Sequence, residues 1–187
     1  MAFQHEGDFV RLPISLAIIV IIIAGCSTMK ESPSGPTINT ISGTKELVLN
    51  EQDLLQLGME SDGGDCLTEE YQTDQYSPLA QYSFCAYAVN SLNNTHVVLE
   101  VKRFTNLEDR NGTYQYESLH LRGAQGLVSE DDFGDSSRFY VNNESTVYYY
   151  HLWIVKNEYL IHITSKGDKE AGEYIEKIGN KILSKFG

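Results

Sequence analysis

The chain has 187 residues, 41% of them hydrophobic and 21% charged, with 14 Lys+Arg against 26 Asp+Glu and a formal net charge of -12. That is too apolar for global disorder, and too acidic for non-specific nucleic-acid binding or for a polybasic patch on anionic lipid, both of which need clustered cations. Three Cys are too few for a disulfide-dense miniprotein.

Residues 12–25, LPISLAIIVIIIAG, carry no charge. As a helix this run would span about 21 Å at about 1.5 Å per residue, short of a hydrocarbon core of about 30 Å, so its length suits the apolar region of a signal peptide. It ends in Ile23-Ala24-Gly25-Cys26, which resembles the lipobox of prokaryotic lipoproteins: an aliphatic residue, two small residues that leave the backbone accessible to a peptidase, then Cys. The preceding residues set Glu6 and Asp8 against Arg11, a departure from the basic start usual in that family. The resemblance implies that the Cys26 thiol receives a diacylglyceryl group, that residues 1–25 are removed, and that the new N-terminus is acylated, for example with palmitate. It further implies a lipid-anchored protein on the extracytoplasmic face of the cell membrane. The body remains acidic without its leader, so anionic headgroups would repel it and hold it off the bilayer on its tether.

Residues 26–44 form the lipidated Cys and a Ser/Thr/Gly/Pro-rich linker, and residues 45–187 form one domain. Asn50 can cap a short helix that Gly58 ends. Residues 60–75 read as a polar connection. In 79–89, Ala80, Tyr82, Phe84, Ala86 and Ala88 share one face of a strand. Val97, Leu99 and Val101 alternate with Val98, Glu100 and Lys102 in a second strand with one wet face. A short helix is expected at about 113–121, after the breaker Asn111-Gly112. Strand pieces follow at 127–128 and 137–141, around the acidic turn 129–135. Residues 147–155 and 159–164 are β-branched and aromatic runs that form a hairpin. Asp168 is placed to cap a last helix whose Ala171, Ile175, Ile178 and Ile182 repeat at helical spacing, with Glu173 and Lys177 as an i,i+4 pair. The fold class is α+β: a curved antiparallel sheet covered on one face by helices, ending in a β-hairpin and a C-terminal amphipathic helix. This element order, with its hairpin-plus-helix ending, resembles the small PsbP-like domains found in many prokaryotic lipoproteins, a resemblance that carries no functional residue across.

With Cys26 lipidated, Cys66 and Cys85 remain as a pair, read as one disulfide in an exported protein. The acidic turns at 62–65 and 130–135 lack the alternating spacing of a calcium loop and are expected to be solvated. If Lys156-Asn157 is a two-residue turn, His151 faces His162 across the hairpin; a zinc site there would need a third ligand that the sequence does not identify. No nucleophile elbow, metalloprotease helix or phosphate loop occurs, so no catalytic residue, metal or cofactor is assigned. The three sequons at Asn93, Asn111 and Asn143 are glycosylation acceptors wherever the host has the machinery. The face opposite the helices is expected to present some of Tyr148, Tyr149, Tyr150, Trp153 and Tyr159, with Tyr149 and Trp153 as the binding candidates, because amphipathic rings suit contact surfaces. The functional expectation is a membrane-anchored binding or accessory module for an unidentified protein or small ligand, without nucleic acid. A cell-envelope hydrolase and a structural surface lipoprotein are the alternatives.

Overall fold

Strict alternation in the strand sequences separates two chemistries, and the sheet turns that separation into two faces. The structure, a computed structural model, describes residues 40–72, 78–121, 126–144 and 146–187. In chain order the elements are α1 (Thr44–Leu47), α2 (Glu51–Leu57), β1 (Met59–Ser61), β2 (Leu67–Glu70), β3 (Leu79–Val89), β4 (His96–Phe104), α3 (Leu107–Leu119), β5 (Gly126–Glu130), β6 (Ser136–Glu144), β7 (Val147–Lys156), β8 (Tyr159–Gly167) and α4 (Ala171–Leu183). The eight strands form one sheet in the order β1-β3-β4-β8-β7-β6-β5, with β2 also paired to β3. Every pairing is antiparallel. The architecture is α+β, as the sequence led us to expect.

On one face Leu99, Val101, Leu152, Ile154, Ile161 and Ile163 are closed off completely by the Ile175, Ile178 and Ile182 stripe of α4. Gly179 permits the close approach, because a Cβ there would stand 3.1 Å from Leu152 Cδ2 and 3.2 Å from Ile154 Cδ1. Leu47 and Leu49 extend the same core beside α1 and α2. Asn50 caps α2 in a reciprocal capping box with Asp53, and Gly58 ends it in the left-handed conformation. Asp53 is almost fully buried, yet Lys181 and Lys185 reach its carboxylate at 3.0 and 2.9 Å. Burial raises its pKa, but these lysines and the Asn50 backbone hydrogen bond together hold it below the ordinary value.

Several boundaries differ from those expected. Packing already includes Ile41 and the fully buried Thr44, whose hydroxyl accepts from Ser83 Oγ, so the domain reaches back into the expected linker. The polar stretch 60–75 holds the end of β1 and all of β2, short and mostly exposed strands whose polar residues hide the apolar alternation that reveals longer ones. α3 begins at Leu107 and runs through Asn111-Gly112. Asn106 caps it by accepting from Asp109 N at 2.8 Å, and this start outweighs one interior glycine. Asp168 does not cap α4 with its side chain; the N-cap is Glu170, and the Asp168 carbonyl accepts from Ala171 N. The hairpin turn is Asn157-Glu158, with Asn157 at φ 51°, so Trp153 rather than His151 stands opposite His162.

Helices also do not keep to one face. α3 lies on the second face, where Tyr114 packs with Phe104, Trp153, Val155 and Leu160. Tyr114 is its one buried aromatic or aliphatic side chain, beside the buried Arg110 and Ser118, so most of this helix is polar and its helical period is faint in the sequence.

Candidate functional site

The second face reads in rows across the strands. One row is Phe84–Glu100–His162–Trp153–Arg138, and the next is Ala86–Val98–Thr164–His151–Tyr140. β4 supplies Glu100 and Lys102 because its even-numbered residues face away from the α4 core. β7 supplies Tyr149, His151 and Trp153 by the same alternation. α3 covers the end of these rows nearest the β7–β8 turn.

Hydrogen bonds join Glu100 and His162 of the first row to Tyr82 and His151 on either side of it. Tyr82 Oη donates to Glu100 Oε1 at 2.6 Å, and His162 Nδ1 lies 3.0 Å from Glu100 Oε2. His151 Nδ1 lies 3.3 Å from His162 Nε2, so the histidines meet diagonally although they are not paired in register. The Glu100 carboxylate can only accept, so His162 donates to it through Nδ1, and a single hydrogen bridges His162 Nε2 and His151 Nδ1. Trp153 stacks on His162 with ring centroids 4.3 Å apart and 7° between the planes, and on His151 at 5.4 Å.

The His162 hydrogen bond, helped by that of Tyr82 and opposed by burial, holds the Glu100 carboxyl down at about 2. Burial, with the neighbouring His162, pushes His151 down to about 4. Burial and the Glu100 carboxylate push the Tyr82 hydroxyl well above its ordinary value. A pocket of about 360 Å³ opens over this row, lined in part by Glu100, Lys102, Glu117, Trp153 and His162. Lys102 is ion-paired to Glu117 of α3. Trp153 Nε1 is buried without a hydrogen-bond partner among the described residues, a cost of about 1–3 kcal/mol that the stacked rings must offset.

Chemically, the arrangement orients stacked rings around one carboxylate. Both ring nitrogens of His162 are engaged by Glu100 and His151. Among the described residues no Ser, Thr or Cys side chain hydrogen-bonds either histidine.

The expected site residues fall in different places. Cys66 and Cys85 form the expected disulfide, S–S 2.06 Å, which ties the start of β2 to β3. Cys26 lies outside the described residues. Asn93, Asn111 and Asn143 are all exposed, on a turn, on α3 and on β6. Tyr149 and Trp153 share the second face as expected, but only Tyr149 is accessible: it is half-buried, with Lys166 Nζ 5.7 Å from its ring centre. Trp153 is 2% exposed, because α3 and His162 cover it, so it is a packing residue and not a contact residue. Tyr148, Tyr150 and Tyr159 belong to the opposite, α4 side. Glu100 and Tyr82 were not singled out from the sequence. The available signal was the wet face of β4, whose acid and base face a histidine-bearing strand.

The acidic turn 130–135 performs structural work. Asp131 Oδ1 accepts from Ser137 N, and Asp135 accepts from Lys156 Nζ and Asn157 N at 2.8 and 2.9 Å. A hollow of about 480 Å³ surrounds Asp53, Lys181 and Lys185, where both lysines already pair with the one carboxylate. Among the described residues no helix is long and apolar enough to cross a membrane.

No protein-family model matches the chain, and no curated protein matches it significantly. Among solved structures it is similar to the extracellular domain of PknH from Mycobacterium tuberculosis, with a TM-score of 0.50 and 11% sequence identity, covering 75% of this chain and 94% of that one. At that identity the likeness establishes a shared fold.

Proposed function

We propose that the protein is a lipoprotein anchored through Cys26 on the extracytoplasmic face of a cell membrane, where its domain binds a protein or small-ligand partner. The Cys66–Cys85 disulfide carries this reading, because such bonds form and persist in oxidising compartments outside the cytosol. The lipobox-like Ile23-Ala24-Gly25-Cys26 supports the anchor, and the shared fold with a domain described as extracellular supports the compartment. The contact surface is the part of the second face that α3 leaves accessible, around Tyr149, Tyr140 and His151, where half-buried rings offer apolar area with a polar edge. A single lipid chain binds membranes only marginally, so acylation of the new N-terminus would make the attachment stable.

Mass spectrometry of the mature N-terminus tests the anchor: a diacylglyceryl thioether on Cys26 is expected, and a peptide running intact from Ala24 through an unmodified Cys26 overturns it. Affinity capture from native membranes tests the surface. Tyr149→Ala is expected to lose a partner that the wild type retains. Hydrolysis of an envelope substrate by the purified protein, with capture unchanged by Tyr149→Ala, would favour an enzyme instead.

A further inference from the structure

We propose that the groove between the β5–β6 edge of the sheet and the first turns of α4 docks a Lys/Arg-rich extended segment of a partner protein. This surface lies on the α4 side of the sheet and is independent of the Tyr149 surface. β5 is an edge strand, paired with β6 alone among the described residues. On this side its residues are small, with Gly126 opposite Val141 and Ser129 opposite Phe139. Among the described residues a Cβ on Gly126 would meet only Val141 Cγ1, at 3.8 Å, so among them no packed side chain closes this row. A bulge between Leu127 and Ser129 takes Val128 out of the pairing and re-aims it to line the groove, where it is 48% exposed. The hollow holds about 400 Å³ over a floor of Phe139, Val141 and Tyr150.

The rim gives the occupant its charge. The N-cap Glu170 and, within α4, Glu173 and Glu176 line this hollow, against Lys169 alone. Lys177 approaches Glu173 only at 3.7 Å and in solvent, a pairing worth little. An apolar floor under an acidic rim matches Lys and Arg, whose hydrocarbon stems lie on apolar surface while their charged heads reach carboxylates. The net charge of -12 disfavours a second copy of this chain, and the same repulsion disfavours an anionic lipid surface.

The test uses the purified full chain in a neutral detergent and a fluorescein-labelled Lys-Thr-Lys-Thr-Lys peptide, read by anisotropy. A second peptide replaces each Lys with 2,3-diaminopropionic acid, which keeps the charge and removes most of the stem. Saturable binding of the Lys peptide is expected, with the short-stem peptide several-fold weaker. Glu173→Gln/Glu176→Gln should weaken binding by about fivefold, as expected for losing two exposed ion pairs. Gly126→Phe should weaken it comparably by filling the groove without changing charge, and Val128→Ser provides the same reading if the Phe variant does not fold. Glu60→Gln/Glu69→Gln, an equal charge change at the far edge of the sheet, should shift affinity less than about twofold. The proposal is overturned by absence of binding, by equal affinity for the two peptides, by equal loss in the far-edge variant, or by groove variants that bind like wild type.

Discussion

The two faces of the sheet are built from the same strands and reach opposite solutions. Toward α4, aliphatic side chains interdigitate with an isoleucine stripe, and Leu99, Leu152, Ile154, Ile161 and Ile163 have no accessible surface. Toward α3, stacked rings and a Tyr82–Glu100–His162–His151 chain stand where an aliphatic core would be. An aliphatic core needs only volume and contact. A polar aromatic layer needs each donor and acceptor matched, and among the described residues Trp153 Nε1 has no partner. The first face therefore holds the fold, and the second combines packing under α3 with accessible ring surface beyond it.

The sharpest contrast lies within the second face itself. Trp153→Ala should cost about 4 kcal/mol in denaturant unfolding, because it removes a buried ring from between α3 and two histidines. Ile178→Ala on the first face should cost about 3 kcal/mol. A Trp153 variant that unfolds at the wild-type midpoint would show that α3 does not pack as described.

Reducing the disulfide, or replacing it with Cys66→Ser/Cys85→Ser, should cost about 3 kcal/mol on a chain-entropy account of a loop of this size. It pins the β2 edge to β3, so amide exchange should rise first in β2 and little in β7 and β8. Uniform exchange across the sheet would break the distinction between pinned edge and packed centre.

Acid should act through the second face. The folded His151 is pushed down to about 4 from 6.5, so between those values the unfolded chain binds the extra proton and stability rises with pH. Stability is full above about 6.5, falls as pH drops toward about 4, and then levels for this group, a change of about 1–3 kcal/mol. His151→Gln should flatten that window. Glu100, held at about 2, adds stability that is full above about 4.5 and is lost only as pH falls toward 2. An unchanged slope in the His151 variant between pH 6.5 and 4 would assign the titration elsewhere.

Tyr149→Ala should have the smallest effect on folding, under about 1 kcal/mol, since a half-exposed ring and one cation–π contact are lost. With Trp153→Ala it separates two residues that the sequence placed together: one answers in stability, the other in partner capture.

Much of this organisation was legible in the chain. The isoleucine repeat of α4, the hairpin, the Asn50 cap with its Gly58 stop and the cysteine pairing rest on local signals: helical spacing, strand alternation, cap chemistry and an even cysteine count in an exported context. The alternation of β7 also placed Tyr149, His151 and Trp153 on one face. Three things depended on tertiary structure. The hairpin register was set by which two residues turn, and a shift of one position moved Trp153, not His151, opposite His162. Burial on the second face depended on α3, whose polar sequence does not announce where it docks, so Trp153 changed from a contact residue to a packed one. Glu100 and Tyr82 met the histidines because β3, β4, β8 and β7 are neighbours in the sheet although far apart in the chain, and no local pattern encodes which strands become neighbours.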